Sequence, residues 1–231
     1  MLKFVTIIIL SFCLNSWAEI PRKELSVALS DVAPFGYSEH GQFKGINYDI
    51  FEKIGKEAGL KFSYTLYPHA RIKNLLPLEN PDLVIIFAPA CHQFSDEYEI
   101  QNKVYRVKAV LYLNEKVDPT KIKDARVGRV RGTCVGLMKD SIKPENVFDL
   151  TDLSQALAMM DLGRLEGVCA LETLLNYNLK KHPEFKEHLV AYKKQTHAAD
   201  FDAVICRKKN LPEATKAKLE HAAKSLKFDV L

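Results

Sequence analysis

Apolar and polar positions alternate along this chain in two rhythms, one helical and one extended. Leu25 to Leu29 reads as a short strand, followed by a loop carrying Pro34, Gly36, Gly41 and Gly45. Ile46, Ile50, Phe51, Ile54 and Ala58 then recur at three- to four-residue spacing, with Glu52, Lys53, Lys56 and Glu57 on the other side. That stripe predicts an amphipathic helix. Gly59 ends it, at the position that favours a left-handed backbone. Leu60, Phe62, Tyr64 and Leu66 alternate like a half-buried strand. A short helix is expected around Ile72 to Leu76, and Asn80-Pro81 breaks it. Leu83 to Ala88 is a continuous apolar run, which suits a strand covered on both faces. The order β-α-β-α-β predicts an α/β layer.

Val104 to Leu113 reads as a long strand leading out of this unit, and a second α/β series follows. Its strands are expected at Arg126 to Val130, Val147 to Leu150, Val168 to Leu171 and Leu189 to Tyr192, with Phe201 to Cys206 last. Gly132-Thr133 should open one helix, and Thr151 or Asp152 should cap another that carries Leu153, Leu157 and Met160 and stops at Gly163. Thr173 to Lys181 is a further helix. Pro212 sits in the first turn of a C-terminal helix whose apolar face includes Ala217, Leu219, Ala222 and Leu226. No solenoid repeat and no low-complexity linker divides the two units, so the chain should cross between them along strands.

Composition refines this picture. With 231 residues, 47% hydrophobic and 27% charged, the chain can bury a sizeable core. A net charge of +4, with no long run of one sign, gives no basis for nucleic-acid binding. Lys3, the apolar stretch Phe4 to Leu14, and small residues Ser16 and Ala18 have the layout of a cleavable secretory signal over 1–18. Phe12 before Cys13 is too bulky for the usual lipid-anchor pattern. Export would permit disulfides among Cys91, Cys134, Cys169 and Cys206, which allow three pairings, and buried thiols are an alternative for Cys169 and Cys206. No C-x-x-C spacing occurs, and neither a metal nor a cofactor is expected.

Several short segments, taken in order, resemble one family. Ala33-Pro34-Phe35-Gly36-Tyr37 with Gly41, Gly45 and Asn47-Tyr48-Asp49-Ile50 is similar to its N-terminal signature. Pro81-Asp82-Leu83-Val84-Ile85-Ile86 resembles its "G-x-x-D" strand opening, Val127-Gly128 to Gly132-Thr133 its "VGV…G(T/S)" segment, and Gly163-Arg164-Leu165-Glu166 its "G+(V/L)(D/E)" segment. The family is that of the periplasmic solute-binding proteins of polar amino-acid ABC transporters, extracellular solute-binding family 3. The resemblance implies a two-lobed, type II periplasmic-binding-protein-like α/β fold hinged on two crossing strands, near Leu111–Glu115 and Asp200–Arg207. Lobe I would comprise 19–112 plus 204–231, and lobe II 113–203. A periplasmic monomer that closes on a small polar solute, an amino acid or related carboxylate, and serves an ABC-type importer is the implied function. A signalling or accessory module of the same fold is the alternative, and a dehydratase-like enzyme the less favoured one, since Glu172, His69, His92 and His197 specify no catalytic set by their spacing.

Candidate ligand contacts follow from the chemistry of a zwitterion. Arg71, in a P-x-x-R context after Leu66-Tyr67-Pro68, offers a guanidinium fork for a carboxylate, or else is a surface arginine. Phe35, Tyr37 and Tyr67 could form an aromatic wall. Arg131, Gly132 and Thr133 lie before a helix whose free N–H groups would attract an anion. Two departures from the family pattern bear on amino-acid binding. The segment Ala88-Pro89-Ala90-Cys91-His92-Gln93-Phe94 lacks the arginine of the usual Thr-x-x-Arg element, and the position expected to hold the ammonium is Leu171, with Glu172 one residue later.

Overall fold

The computed structural model describes residues 24–114, 116–138, 141–185 and 194–226. The leader 1–18 and the expected strand at 189–192 lie outside the described residues.

The first unit forms as its pattern predicts. Strand β1 (Leu25–Asp31) is followed by a small hairpin, β2 (Tyr37–Glu39) and β3 (Gln42–Lys44), and by helix α1 (Ile46–Ala58). Ile50, Phe51 and Ile54 are buried on the inner stripe of α1, each contributing about 1.5–3 kcal/mol through burial. Gly59 adopts φ +63° and closes α1, its N–H donating to the Gly55 carbonyl. Next come β4 (Phe62–Pro68), α2 (His69–Glu79), β5 (Leu83–Phe87) and the short α3 (Ala88–His92). α2 is longer than the apolar spacing suggested, since Pro77 sits inside it. β1 lies between β4 and β5, parallel to both. Asp82 locks this layer from below: its Oδ2 accepts from the backbone N–H and the hydroxyl of Ser26, both at 3.0 Å.

The second unit holds β7 (Val127–Val130), α4 (Val135–Met138), β8 (Val147–Leu150), α5 (Leu153–Asp161), β9 (Gly167–Leu171) and α6 (Glu172–Lys181). Asp152 is the cap of α5, accepting from the Gln155 N–H at 2.8 Å. β7 lies parallel to both β8 and β9.

Two long strands join the units. β6 (Tyr98–Leu113) has 16 residues and β10 (Lys194–Lys208) has 15, and they pair antiparallel along most of their length. β10 meets β5 through Ala203–Arg207, whereas β6 meets β9 through Ala109–Leu113. All the large strands therefore form one eight-stranded sheet, ordered β4-β1-β5-β10-β6-β9-β7-β8. Between the two attachments, Arg106–Lys108 opposite Asp200–Asp202 has neither β5 nor β9 beside it. A two-stranded stretch is the most pliable part of such a sheet, and a register shift at Ala203/Val204 adjoins it. After β10, helix α7 (Glu213–Ser225) returns to pack on α1. The C-terminus thus completes the first unit.

Both cysteine pairs are disulfides: Cys91–Cys206 ties α3 to β10, and Cys134–Cys169 ties the segment after β7 to β9. The alternative of buried free thiols at Cys169 and Cys206 is thereby corrected; α3 brings Cys91 to the one strand and the loop after β7 brings Cys134 to the other. Among the described residues no helix is long and apolar enough to cross a membrane.

Candidate functional site

A cavity of about 310 Å³ opens between the two units, beside the two-stranded crossing. That volume lies at the lower end of the usual range for small-molecule sites. From the first unit it is walled by Val32, Phe35, Ile72, Ile85, Ile86 and Phe87, and from the second by Leu171 and Leu174. Polar groups are fewer: Ser30, Asn47 and His69 on one side, Arg129, Arg131, Thr133 and Asp149 on the other.

Phe35 is held by backbone chemistry. Gly45, at the start of α1, has no side chain to cap the helix. The free N–H groups of Ile46 and Asn47 donate instead to the carbonyls of Pro34 and Phe35, at 2.9 and 2.8 Å. Only glycine fits at 45, because its φ is +115° and a Cβ would lie 2.7 Å from the Phe35 carbonyl oxygen. Ala33-Pro34 is a cis peptide. The Phe35 ring stacks on Tyr105, with centroids 6.1 Å apart and planes 13° from parallel. Tyr105 in turn donates its hydroxyl to Asn47 Oδ1 at 2.7 Å. Burial pushes the Tyr105 phenol well up, which keeps it a neutral donor.

His69 begins α2, and its Nδ1 is 2.7 Å from the Ser30 hydroxyl. Burial lowers the imidazole pKa, which favours the neutral ring. Across the cavity, Arg129 Nε donates to Asp149 Oδ1 at 2.6 Å. The Thr133 hydroxyl donates to the Val130 carbonyl at 2.7 Å, so its proton is committed. Arg131 is exposed to the cavity, and its guanidinium has no ion-pair or hydrogen-bond partner among the described residues.

Gly132 brings the two units together. Its φ is +85°, and a Cβ there would lie 2.9 Å from Ala70 Cα and 3.1 Å from Ala70 Cβ. The disulfide from Cys134 anchors this loop to β9. The described part of the expected helix is the turn α4, and the Arg131 side chain brings a cation to this loop.

The cavity brings together four of the eight sequence candidates: Phe35, Arg131, Gly132 and Thr133. The other four lie outside its lining. Arg71 is exposed on α2, while its neighbours His69, Ala70 and Ile72 face inward. Tyr67 packs with the cluster around Ile72 and Leu76. Glu172 lies 3.7 Å from Lys108 as an ion pair. Tyr37 on the hairpin lies beside Tyr177 on α6, and the Lys181 ammonium sits 4.7 Å over the Tyr177 ring centre. Sequence reasoning did not assign Ser30, Asn47, Tyr105, Arg129 or Asp149 to the site, nor the Ile85–Phe87 wall. Asn47, Arg129, Ile85 and Ile86 lie within recognised motifs, but Ser30, Tyr105 and Asp149 come from strand positions with no local signature. His92 is exposed on α3, and the side chain of His197 lies outside the described ones.

No protein-family model matches the chain, and no curated protein does. Solved structures do. The arginine-, lysine-, histidine-binding protein ArtJ of Geobacillus stearothermophilus superposes with a TM-score of 0.65 at 18% identity, over 88% of this chain and 89% of that one. The GluR0 ligand-binding core in complex with L-glutamate gives 0.68 at 14% identity, over 89% and 92%. The periplasmic VFT2 domain of Bordetella pertussis BvgS gives 0.63 at 16% identity, over 90% and 89%. The fold is that of the two-lobed periplasmic binding proteins. The cavity is then the cleft between lobes, and the β6/β10 crossing is the connection on which they are hung.

Proposed function

We propose that this protein is an extracytoplasmic solute-binding protein that closes its two lobes on a small solute in the cleft between β1, β5 and α2 on one side and β7, β9 and α6 on the other. The observation that carries this reading is Arg131, which has no partner among the described residues, at a cavity whose walls come from both lobes. A ligand touching both walls stabilises the closed form by whatever contacts the open form lacks. We place the hinge at Arg106–Lys108 and Asp200–Asp202, a few residues before the expected divisions at 112/113 and 203/204. Lobe I would then be the leading segment with the C-terminal helix, and lobe II the segment between.

Phe35, Arg131, Gly132 and Thr133 form the ligand site on this reading, completed by Ser30, His69 and Tyr105. Tyr37 serves closure instead, through Tyr177. The secretory leader layout and the two disulfides support an oxidising, extracytoplasmic location. Delivery to an ABC-type importer is the role that the family-3 resemblance implies, and binding rather than catalysis suits a cleft whose single lining carboxylate is paired with Arg129.

The test is a thermal-shift screen of the mature protein against amino acids, organic acids, sugars and short peptides, followed by small-angle scattering of any hit. A specific ligand at a hundred times its Kd adds about 2.7 kcal/mol of apparent stability, and closure should reduce the radius of gyration. Absence of any stabilising solute, with no compaction, would sink the proposal.

A further inference from the structure

We infer that the cleft selects a carboxylate with an apolar body and no ammonium group, an aromatic or branched aliphatic acid rather than an amino acid. The inference rests on the solute-binding reading and goes beyond it. Its basis is which polar groups of the lining are already engaged.

A carboxylate has a receptor. Arg131 presents a guanidinium with no hydrogen-bond or ion-pair partner among the described residues, and a guanidinium fork is matched to a carboxylate by geometry and charge. The charged lining residues are Arg129, Arg131 and Asp149. Arg129 and Asp149 neutralise one another at 2.6 Å, which leaves one net positive charge facing the cavity. A monoanion balances it.

An ammonium finds no unpaired carboxylate among the described lining residues. It needs an anion or several free acceptors to replace its water shell. Asp149 is held by Arg129, and Asn47 Oδ1 already accepts from Tyr105. The Ser30 hydroxyl is engaged with His69. Glu172, the acid nearest the expected ammonium position in sequence, lies outside the lining and against Lys108. The residue at that position is Leu171, buried and lining the cavity as a hydrocarbon surface. The remaining wall continues the same chemistry, with Ile72, Ile85, Ile86, Phe87 and Leu174. An α-ammonium brought into this space would be left without a carboxylate partner and beside a cationic face, at a cost of about 5- to 150-fold in affinity.

Matched pairs test this directly. Calorimetric titration of the mature protein would compare 3-phenylpropanoate with L-phenylalanine and 4-methylpentanoate with L-leucine, alongside L-arginine and L-glutamate. The expected result is that at least one acid binds more than tenfold tighter than its amino-acid partner. Arg131→Gln should then weaken that acid by tenfold or more, while the melting temperature without ligand stays unchanged, because the Arg131 guanidinium has no partner among the described residues. Equal or tighter binding of the amino acids overturns the inference and leaves the solute-binding reading standing. So does binding of a solute from the broad screen when both matched acids fail. Failure of every solute in both experiments removes the two together. Unchanged acid affinity in Arg131→Gln also overturns the inference, since the carboxylate would then be held elsewhere.

Discussion

Replacing Gly132 by alanine should separate lobe closure from folding. Two effects act at this position. The first is local: φ is +85°, and a side chain in a left-handed conformation costs roughly 1–2 kcal/mol in any state of the folded lobe. The second arises only on closure. The new methyl would lie 2.9 Å from Ala70 Cα, a backbone atom of the opposite lobe that cannot rotate aside. Overpacking of this kind costs about 1–3 kcal/mol. An open molecule escapes the second cost but not the first. Gly132→Ala should therefore lose about 1–2 kcal/mol of unfolding stability in the absence of ligand. It should additionally bind ligand about 5- to 150-fold more weakly. Gly163→Ala is the control, because its φ is +66° and nothing lies within 4 Å of a Cβ there. It carries the same backbone strain and should leave affinity intact. Denaturant unfolding and calorimetric titration of the two variants, with the tightest solute of the screen, measure both terms. If Gly132→Ala binds as tightly as Gly163→Ala, the contact with Ala70 is not made in the bound form, and the closure argument fails.

Three further outcomes follow from the same geometry. Tyr177→Phe removes the hydroxyl that Tyr37 meets across the lobes, so ligand affinity should fall by about two- to tenfold, the worth of one hydrogen bond, with little change in the melting temperature of the free protein. Burial lowers the folded-state pKa of His69 below its unfolded value near 6.5, so the unfolded chain takes up the proton first. Its stabilising contribution is thus complete above about pH 6.5 and is lost as pH falls through the lowered folded-state pKa. His69→Gln should flatten that part of a stability-versus-pH curve, and an unaltered slope would discount the histidine. Reduction of Cys91–Cys206 and Cys134–Cys169, which span 115 and 35 residues, should each lower stability, by up to about 5 and about 4 kcal/mol on loop-closure entropy alone. Cys134→Ser with Cys169→Ser, which frees the Arg131–Thr133 loop from β9, should also weaken ligand binding. Cys91→Ser with Cys206→Ser leaves that loop tied to β9 and should weaken binding less.

What the sequence determined was the set of elements and their alternation. The stripe on α1, the apolar run of β5 and the glycine after α1 encode local structure through side-chain period and backbone sterics, which act within a few residues. The family resemblance supplied the two-lobed fold, and Phe35 with Arg131-Gly132-Thr133 line the cavity. Tertiary structure decided which side chains the cleft could offer. Arg71 and Ile72 are adjacent in the chain, yet α2 turns the arginine to solvent and the isoleucine inward, because successive helical positions differ by about 100°. Glu172 is one residue from Leu171, and its pairing with Lys108 on β6 depends on a strand far away in sequence. Arg129 and Arg131 read alike in the chain, and only the parallel register of β7 with β8 sets Asp149 beside the first and leaves the second open. Ligand chemistry in such a cleft is the remainder after the protein's own polar groups have satisfied one another. That remainder is a property of the assembled sheet, so no segment of sequence contains it.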